Sequence, residues 1–247
     1  NAFLHAVAET IKEGSGFPKL FCDDEIIPLL VAKGGTIEEA NDYCVTGCSE
    51  TKMLNREGIA TGCAWINLAA ILEMTLRDGR MGCYGNGLVG VSTGDPRTFT
   101  SYHEFWDACT RQIENVVQHT FIQQHVSDTL KSQHIASPMF SMLHDLCMKS
   151  AKDIHSGPIK GALYLGFFDV MGFGTVIDSL AAIRTLVFEE GKLSMDELLD
   201  ALDHDFVGHE AVRQLCLNAP KYGNNDRAVD QIGHDIEACF AGLAHRH

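Results

Sequence analysis

Apolar residues recur every three or four positions along most of the chain, which is the spacing of amphipathic helices. The pattern predicts helices over residues 1–11, 23–33, 64–80, 100–134 and 138–152, and two more within 175–206. Residues 208–243 are predicted to be helical around a loop at 218–226. Thr36 with Glu39 and Ser194 with Glu197 have the spacing of capping boxes, which mark helix starts. Residues 64–80 are so rich in apolar side chains that we expect this helix to be mostly buried.

Strands are predicted at residues 18–22, 43–48 and 161–165, where β-prone residues are bounded by turn formers. Residues 83–96 contain four glycines and a proline and are predicted to be a loop. We find no internal repeat and no linker-like stretch. The predicted fold is therefore α/β in class, mostly helical, within one domain.

The composition of the 247 residues is that of a globular protein, with 45% hydrophobic and 21% charged side chains. The net charge of −14 disfavours binding to nucleic acid or to an anionic membrane surface, because both depend on Lys and Arg. No apolar run approaches the roughly 20 residues that span a bilayer. The sequence also lacks a charged-then-apolar leader, so we expect no secretory signal.

Nine cysteines are scattered along the chain without a compact spacing pattern. An odd number of dispersed cysteines in a chain of this length indicates reduced thiols and a cytoplasmic protein. The helical patterns at both ends begin and stop without caps, so we expect the chain to be a piece of a longer polypeptide.

The segment 42–53, DYCVTGCSETKM, carries the candidate chemistry. Cys48 and Glu50 would face the same side of an extended segment, and Gly47 permits a sharp turn before them. A nearby carboxylate raises a thiol pKa, which disfavours a thiolate nucleophile. The pair suits a reaction in which sulfur removes a hydrogen atom and the carboxylate removes a proton. A buried cysteine beside a surface glutamate is the alternative.

Gly47-Cys48-Ser49-Glu50 resembles the Gly-Cys-X-Glu loop of glycyl radical enzymes of the pyruvate formate-lyase family. Residues 178–208 and 218–230 resemble the segments that precede the glycyl radical domain of that family. The resemblance implies that residues 1–247 are part of a ten-stranded α/β barrel with the Cys48 loop at its centre. The N-terminal half of the barrel and the glycyl radical domain would be absent.

The resemblance also implies roles for individual residues. Cys48 would form the thiyl radical that abstracts a substrate hydrogen, and Glu50 would be the general base. Thr61 and Trp65 would line the substrate pocket, although a place in a buried helix explains them equally well. The radical would be stored on a glycine outside this chain and installed by a radical S-adenosylmethionine activase. The full-length enzyme would be a homodimer acting on a small molecule, and this chain would bind no metal.

Departures from the family pattern narrow the reaction. Pyruvate formate-lyase carries adjacent cysteines at the loop tip, whereas Gly47 precedes Cys48 here. This difference favours the dehydratases, C–N and C–S lyases and arylacetate decarboxylases, and leaves the substrate open. The RVxGY-like glycine loop of the family does not occur in the sequence, so we expect no turnover by this polypeptide alone. A truncated non-catalytic relative, or one chain of a split enzyme, is the rival interpretation.

Other candidate sites are weaker. Cys44 and Cys48 could share a metal ion, but no second ligand pair follows at suitable spacing. The histidines at 103, 119, 125 and 134 do not stack at i, i+4, which indicates an exposed helix face. His144 and Asp145 are predicted to be surface residues, and His155 lies in a loop that could approach the pocket. GNGLVG at 85–90 lacks the strand and helix of a dinucleotide site.

Overall fold

The computed structural model describes residues 2–15, 17–47, 50–57, 64–157, 159–162 and 168–246. The chain forms two compact units, each built from two separate stretches. The first unit comprises Asn1–Cys63 and Ser127–Phe167, and the second comprises Ala64–Val126 and Phe168–His247.

Helices dominate both units, and the described α-helices are α1 Ala2–Thr10, α2 Asp23–Ala32, α3 Ile37–Asn41, α4 Leu68–Leu76, α5 Tyr102–His134, α6 Pro138–Met142, α7 Asp145–Ser150, α8 Phe173–Ile183, α9 Met195–Asp203, α10 Glu210–Asn218 and α11 Arg227–Ala244. Short π-helical turns follow α1 at Ile11–Ser15 and α8 at Arg184–Glu189, and 3₁₀ turns occupy Gly82–Tyr84 and Pro96–Thr98. The helices of the described residues are all too short or too polar to cross a membrane.

The described strands form three two-stranded pairs. Their bounds are β1 Tyr43–Thr46, β2 Glu50–Met53, β3 Ala64–Asn67, β4 Arg80–Met81, β5 Gly87–Leu88 and β6 Phe168–Met171. The pairs β1–β2 and β4–β5 are antiparallel hairpins, and β3–β6 is parallel. A parallel pair needs a long crossover, which here includes α4 and α5. The mostly helical α/β class predicted from the sequence is confirmed.

The first unit has a small core beneath the β1–β2 hairpin. Leu30 of α2, Ala40 of α3 and Met53 of β2 are almost fully buried against one another. A Cβ atom on Gly35 would overlap the sulfur of Met53, so the turn between α2 and α3 lies directly on that side chain. The capping box of Thr36 and Glu39 starts α3 as the sequence predicts.

The second unit contains the larger core, in which α4, α5, α8, α9 and α11 bury their apolar faces. Ile177 and Leu180 of α8 and Phe105 of α5 are completely buried. A Cβ atom on Gly233 of α11 would lie 3.2 Å from Cδ1 of Ile177, so α8 and α11 pack closely at that point. Ser194 and Glu197 form the predicted capping box at the start of α9.

The predicted helix over 64–80 is wrong at both ends, since α4 ends at Leu76 and Arg80 belongs to β4. Ala64–Asn67 forms strand β3, and the helix starts only at Leu68. The side chain of Asn67 accepts hydrogen bonds from the backbone N–H groups of Ala69 and Ala70, at 3.0 and 3.3 Å. Asn67 is therefore an N-cap whose own backbone stays extended, which separates the strand from the helix.

Two further predicted helices or strands differ from the structure. Residues 18–22 form no strand, and Pro18 has no N–H to donate to a ladder. The predicted helix over 138–152 is divided into α6 and α7 at Leu143 and His144. The Ser141 hydroxyl near the end of α6 donates to Asp153 and accepts from the N–H of Ile154, which holds this end in a turn. Most of the predicted strand at 161–165 lies outside the described residues.

Candidate functional site

The candidate loop joins the two strands of an antiparallel hairpin. Thr46 at the end of β1 pairs with Glu50 at the start of β2, so residues 47–49 form the connection. Cys48 and Ser49 lie outside the described residues. The hairpin nevertheless fixes the positions of Gly47 and Glu50, the two residues that flank them.

Gly47 turns the chain at the tip of this hairpin. Its φ angle of 57° lies in the left-handed region, which glycine adopts without strain. A fully extended backbone over residues 47–50, the condition for Cys48 and Glu50 to face the same side, is therefore excluded at Gly47. The prediction of a sharp turn there is confirmed.

The Glu50 carboxylate folds back over Gly47. A Cβ atom built on Gly47 would lie 2.5 Å from Oε2 and 2.6 Å from Oε1 of Glu50. A side chain at position 47 and the carboxylate in its present position therefore exclude each other. The absence of a side chain at Gly47 gives the carboxylate its place at the tip of the hairpin.

Hydrogen bonds to side chains of α2 and α3 anchor the β1–β2 hairpin at the end opposite its turn. The Tyr43 hydroxyl of β1 donates a hydrogen bond of 2.8 Å to Asp23 at the start of α2. This hydrogen bond raises the pKa of the Tyr43 hydroxyl above its usual value. Arg56, just after β2, donates to the Glu39 carboxylate of α3 at 2.7 Å. The Thr36 N–H and, to a lesser extent, Arg56 lower the pKa of Glu39, so this ion pair persists at neutral pH.

Trp65 lies on β3 of the second unit and not in a helix. Its side chain is 74% exposed, and its Nε1–H donates a hydrogen bond of 3.0 Å to Oδ2 of Asp169 on β6. The two residues face each other directly in the parallel register. The alternative of a core position for Trp65 is thus wrong. Thr61, the other predicted pocket residue, lies outside the described residues.

Asp169 is a candidate that the sequence analysis missed. It follows a glycine- and phenylalanine-rich stretch, and its partner Trp65 is 104 positions away in the chain. Only knowledge of the parallel pairing could have connected the two residues.

His155 belongs to a loop organised by Asp153. The Asp153 carboxylate accepts hydrogen bonds from the backbone N–H groups of Ser137 and His155 and from the Ser141 hydroxyl, at 2.8–2.9 Å. The N–H of His155 makes the largest contribution to the lowered pKa of Asp153. The backbone of His155 therefore has a structural role in the first unit.

His144 is buried, contrary to the prediction that it lies on the surface. Its side chain is 6% exposed, and neither ring nitrogen has a hydrogen-bond partner among the described residues. Asp145 is exposed, as predicted. The predicted exposed position of His103 on α5 is also confirmed, and its ring lies 3.0 Å from Asp107.

Several other thiols are poorly suited to nucleophilic chemistry. Burial raises the pKa of Cys109 to about 12 and also raises the pKa values of Cys147, Cys216 and Cys239. A thiol with a raised pKa is largely protonated at neutral pH and hence unreactive as a nucleophile. The raised pKa values therefore disfavour these four thiols as nucleophiles.

The second unit contains an open cavity of about 660 Å³ between α4, α8, α9 and α10. Its lining is mostly apolar and includes Leu72, Val176 and Leu198. Neither Glu50 nor Trp65, the two predicted site residues that the structure describes, lines it. Within the described ranges, one group of side chains is close enough to share a metal ion, namely Asp200, His204 and His209.

Comparison with known proteins identifies relatives over nearly the whole chain. The isethionate sulfite-lyase of Desulfovibrio desulfuricans is 54% identical over 95% of this chain and 28% of its own length. The trans-4-hydroxy-L-proline dehydratase of Clostridioides difficile is 35% identical over 95% of this chain and 29% of its own length.

Structural comparison agrees with this result. The glycerol-bound B12-independent glycerol dehydratase of Clostridium butyricum superimposes with a TM-score of 0.84 at 30% identity, over 100% of this chain and 31% of its own length. The chain thus spans less than a third of each of these relatives. The pyruvate formate lyase-like family model matches residues 1–247. The chain belongs to the pyruvate formate lyase-like family.

Proposed function

We propose that this chain is part of a glycyl radical lyase that cleaves the C–S bond of isethionate and releases sulfite. The observation that carries the proposal is the 54% identity to an isethionate sulfite-lyase, against 35% to a hydroxyproline dehydratase over the same share of the chain. Other parts of the full-length polypeptide also contribute to the choice of substrate. The proposal therefore concerns the full-length protein.

Cys48 is the proposed hydrogen-abstracting residue. In the sequence it directly follows Gly47, the residue at which the chain turns after β1. The fit of the site to radical chemistry rests on this hairpin tip, where one thiol and one carboxylate are two residues apart. A glycyl radical elsewhere in the full-length protein would supply the unpaired electron, and a radical S-adenosylmethionine activase would install it.

Isethionate is 2-hydroxyethanesulfonate, so each bond change can be assigned. Cys48 removes a hydrogen atom from the carbon that carries the hydroxyl group, and Glu50 removes the hydroxyl proton. The C–S bond then breaks, and sulfite leaves with the bonding electron pair. The remaining carbon radical recovers a hydrogen atom from Cys48, which gives acetaldehyde. Glu50 returns its proton to solvent.

Glu50 is suited to the role of base by its position. Its carboxylate lies against Gly47, the residue that precedes Cys48 in the sequence. A general base must lie within hydrogen-bond reach of the proton that it removes. We propose Trp65 as a pocket residue because its large side chain is exposed, and Thr61 on the family resemblance alone.

The test is a substrate comparison with the full-length protein after anaerobic activation. Isethionate, trans-4-hydroxy-L-proline and glycerol are supplied separately, and sulfite, water loss and aldehyde formation are followed. We expect sulfite and acetaldehyde from isethionate and no conversion of the other two compounds. Dehydration of either of these, with no sulfite from isethionate, would replace the lyase by a dehydratase. No turnover of any of the three compounds would favour the interpretation that the protein is a non-catalytic relative.

We further propose that the whole protein acts in the cytoplasm and forms a homodimer. The scattered cysteines described above support a reducing compartment, and the family resemblance supports the dimer. Size-exclusion chromatography with light scattering on the full-length protein tests the dimer.

A further inference from the structure

Asp200, His204 and His209 form a cluster at the junction of α9 and α10. Asp200 lies in the last turn of α9, His204 is the C-cap of that helix, and His209 is the N-cap of α10. One candidate ligand atom from each residue lies within 4.8 Å of the other two. We infer that this cluster is a surface site for a divalent transition-metal ion such as Zn²⁺, independent of the proposed radical chemistry.

The separation between Asp200 and His209 is that of two ligands of one such ion, and the other oxygen of the carboxylate faces His204. Oδ2 of Asp200 lies 3.4 Å from Nε2 of His209, and Oδ1 lies 3.5 Å from Nδ1 of His204. Adjacent ligands of a tetrahedral ion with bonds of about 2.1 Å are about 3.4 Å apart. The centroids of the two imidazole rings lie 5.6 Å apart, with an angle of 31° between the ring planes.

The backbone between the two histidines brings them together. Asp205, Phe206 and Gly208 all have positive φ angles, which folds the chain back onto the end of α9. The N–H of Phe206 donates to the carbonyl of Ala201 at 2.7 Å, and the N–H of His209 donates to the carbonyl of Phe206 at 3.0 Å. Non-glycine residues adopt this conformation at a cost, so the surrounding structure must hold the turn in place.

The ligand chemistry favours Zn²⁺, Ni²⁺ or Co²⁺ over Mg²⁺ or Ca²⁺. Two imidazoles and one carboxylate are the donors that borderline transition metals prefer, whereas Mg²⁺ and Ca²⁺ prefer oxygen. Three protein ligands leave at least one coordination position for water. Nδ1 of His204 also lies 2.8 Å from the backbone carbonyl of Asp200, so the ring must break that contact or bind through Nε2.

The cluster could alternatively be an ion-pair network in which Asp200 bonds two protonated imidazoles. The two cases differ in their response to metal. A metal site loses affinity as pH falls because protons compete for the histidine nitrogens, whereas an ion-pair network takes up no metal at any pH.

The experiment measures Zn²⁺ binding to the purified full-length protein by titration at neutral pH. The double variant His204→Ala/His209→Ala should bind one equivalent of Zn²⁺ less than the wild type. Zn²⁺ bound by cysteine thiols is the same in both proteins, so the difference reports the cluster alone. Asp200→Asn should weaken binding at this site by at least about 10-fold, as changes even to outer-shell partners do. His234→Ala is the matched control, since that exposed histidine lies 3.6 Å from the single carboxylate of Glu237 and is not part of the cluster. Equal stoichiometry in the wild type and the double variant would overturn the inference.

A second measurement needs no variant and so does not depend on folding. The wild-type protein is treated with diethyl pyrocarbonate with and without Zn²⁺, and modified histidines are identified by peptide mass spectrometry. We expect Zn²⁺ to protect His204 and His209 but not His234. Equal modification of all three with Zn²⁺ present would contradict the site even if total Zn²⁺ uptake were high.

Discussion

Replacement of Gly47 by alanine tests whether the hairpin tip positions Glu50. The new Cβ atom would lie 2.5 Å from Oε2 of Glu50, whereas ordinary contacts begin at 3.4 Å. The carboxylate must therefore move by about 0.9 Å. A displacement of about 1 Å at a reacting group can reduce the rate on the order of 100-fold. We expect a reduction of this size in kcat of the full-length, anaerobically activated protein.

The matched control for this substitution is Gly191→Ala. Gly191 has a φ angle of 60°, almost equal to that of Gly47, but a Cβ atom there would meet nothing within 4 Å. Both variants carry the same backbone strain of about 1–2 kcal/mol. Only Gly47→Ala displaces Glu50, so only Gly47→Ala should lose activity. Equal kcat values for the two variants would refute the argument that Gly47 is required for the position of Glu50.

Three further predictions concern stability. Met53→Ala should lower the free energy of unfolding by about 2–5 kcal/mol, because this side chain is 1% exposed. Met139→Ala, at a 71% exposed site, is the control and should change the denaturant midpoint little. Asn67→Ala should remove the N-cap of α4 and lower the free energy of unfolding by about 1 kcal/mol. Amide hydrogen exchange in the first turn of α4 should become faster, and unchanged exchange would contradict the role of Asn67 as a cap. Asp78 accepts hydrogen bonds from the N–H groups of residues 94 and 93 and the hydroxyl of residue 92, which lower its pKa. Its contribution to stability is present above the unfolded pKa of about 3.9 and is lost as pH falls through the lower folded value, so the stability difference between wild type and Asp78→Asn should shrink below pH 4. A difference that stays constant over this pH range would contradict the role of these hydrogen bonds.

Local signals in the sequence were sufficient for many elements. The capping boxes at Thr36 and Ser194 depend on residues three positions apart, and both occur in the structure. The long helix α5 follows directly from its apolar spacing. The turn at Gly47 was also predictable, since glycine is the residue that a left-handed turn favours.

Other features depend on contacts between distant parts of the chain. The apolar run from Ala64 reads equally well as a buried helix or a strand, and its pairing with β6 decides for the strand. His144 has no sequence signal of burial, because histidine is commonly exposed. The hydrogen bonds of Asp153 that separate α6 from α7 likewise form only in the folded chain.

The candidate site was predictable to the extent that its residues are neighbours in sequence. Cys48 and Glu50 belong to one tetrapeptide and could be found from the sequence. The pairing of Trp65 with Asp169, and the approach of His209 to Asp200 across a turn, required the fold.

The central claim is that Cys48 abstracts the substrate hydrogen, and a pair of cysteine substitutions tests it most directly. Cys48→Ala and Cys44→Ala are made in the full-length protein, activated without oxygen, and assayed for sulfite release from isethionate. Cys44 is the control because it lies in the same hairpin, on β1, opposite Lys52. We predict no sulfite from Cys48→Ala and sulfite release close to that of the wild type from Cys44→Ala. Sulfite release by Cys48→Ala at the wild-type rate would contradict the account.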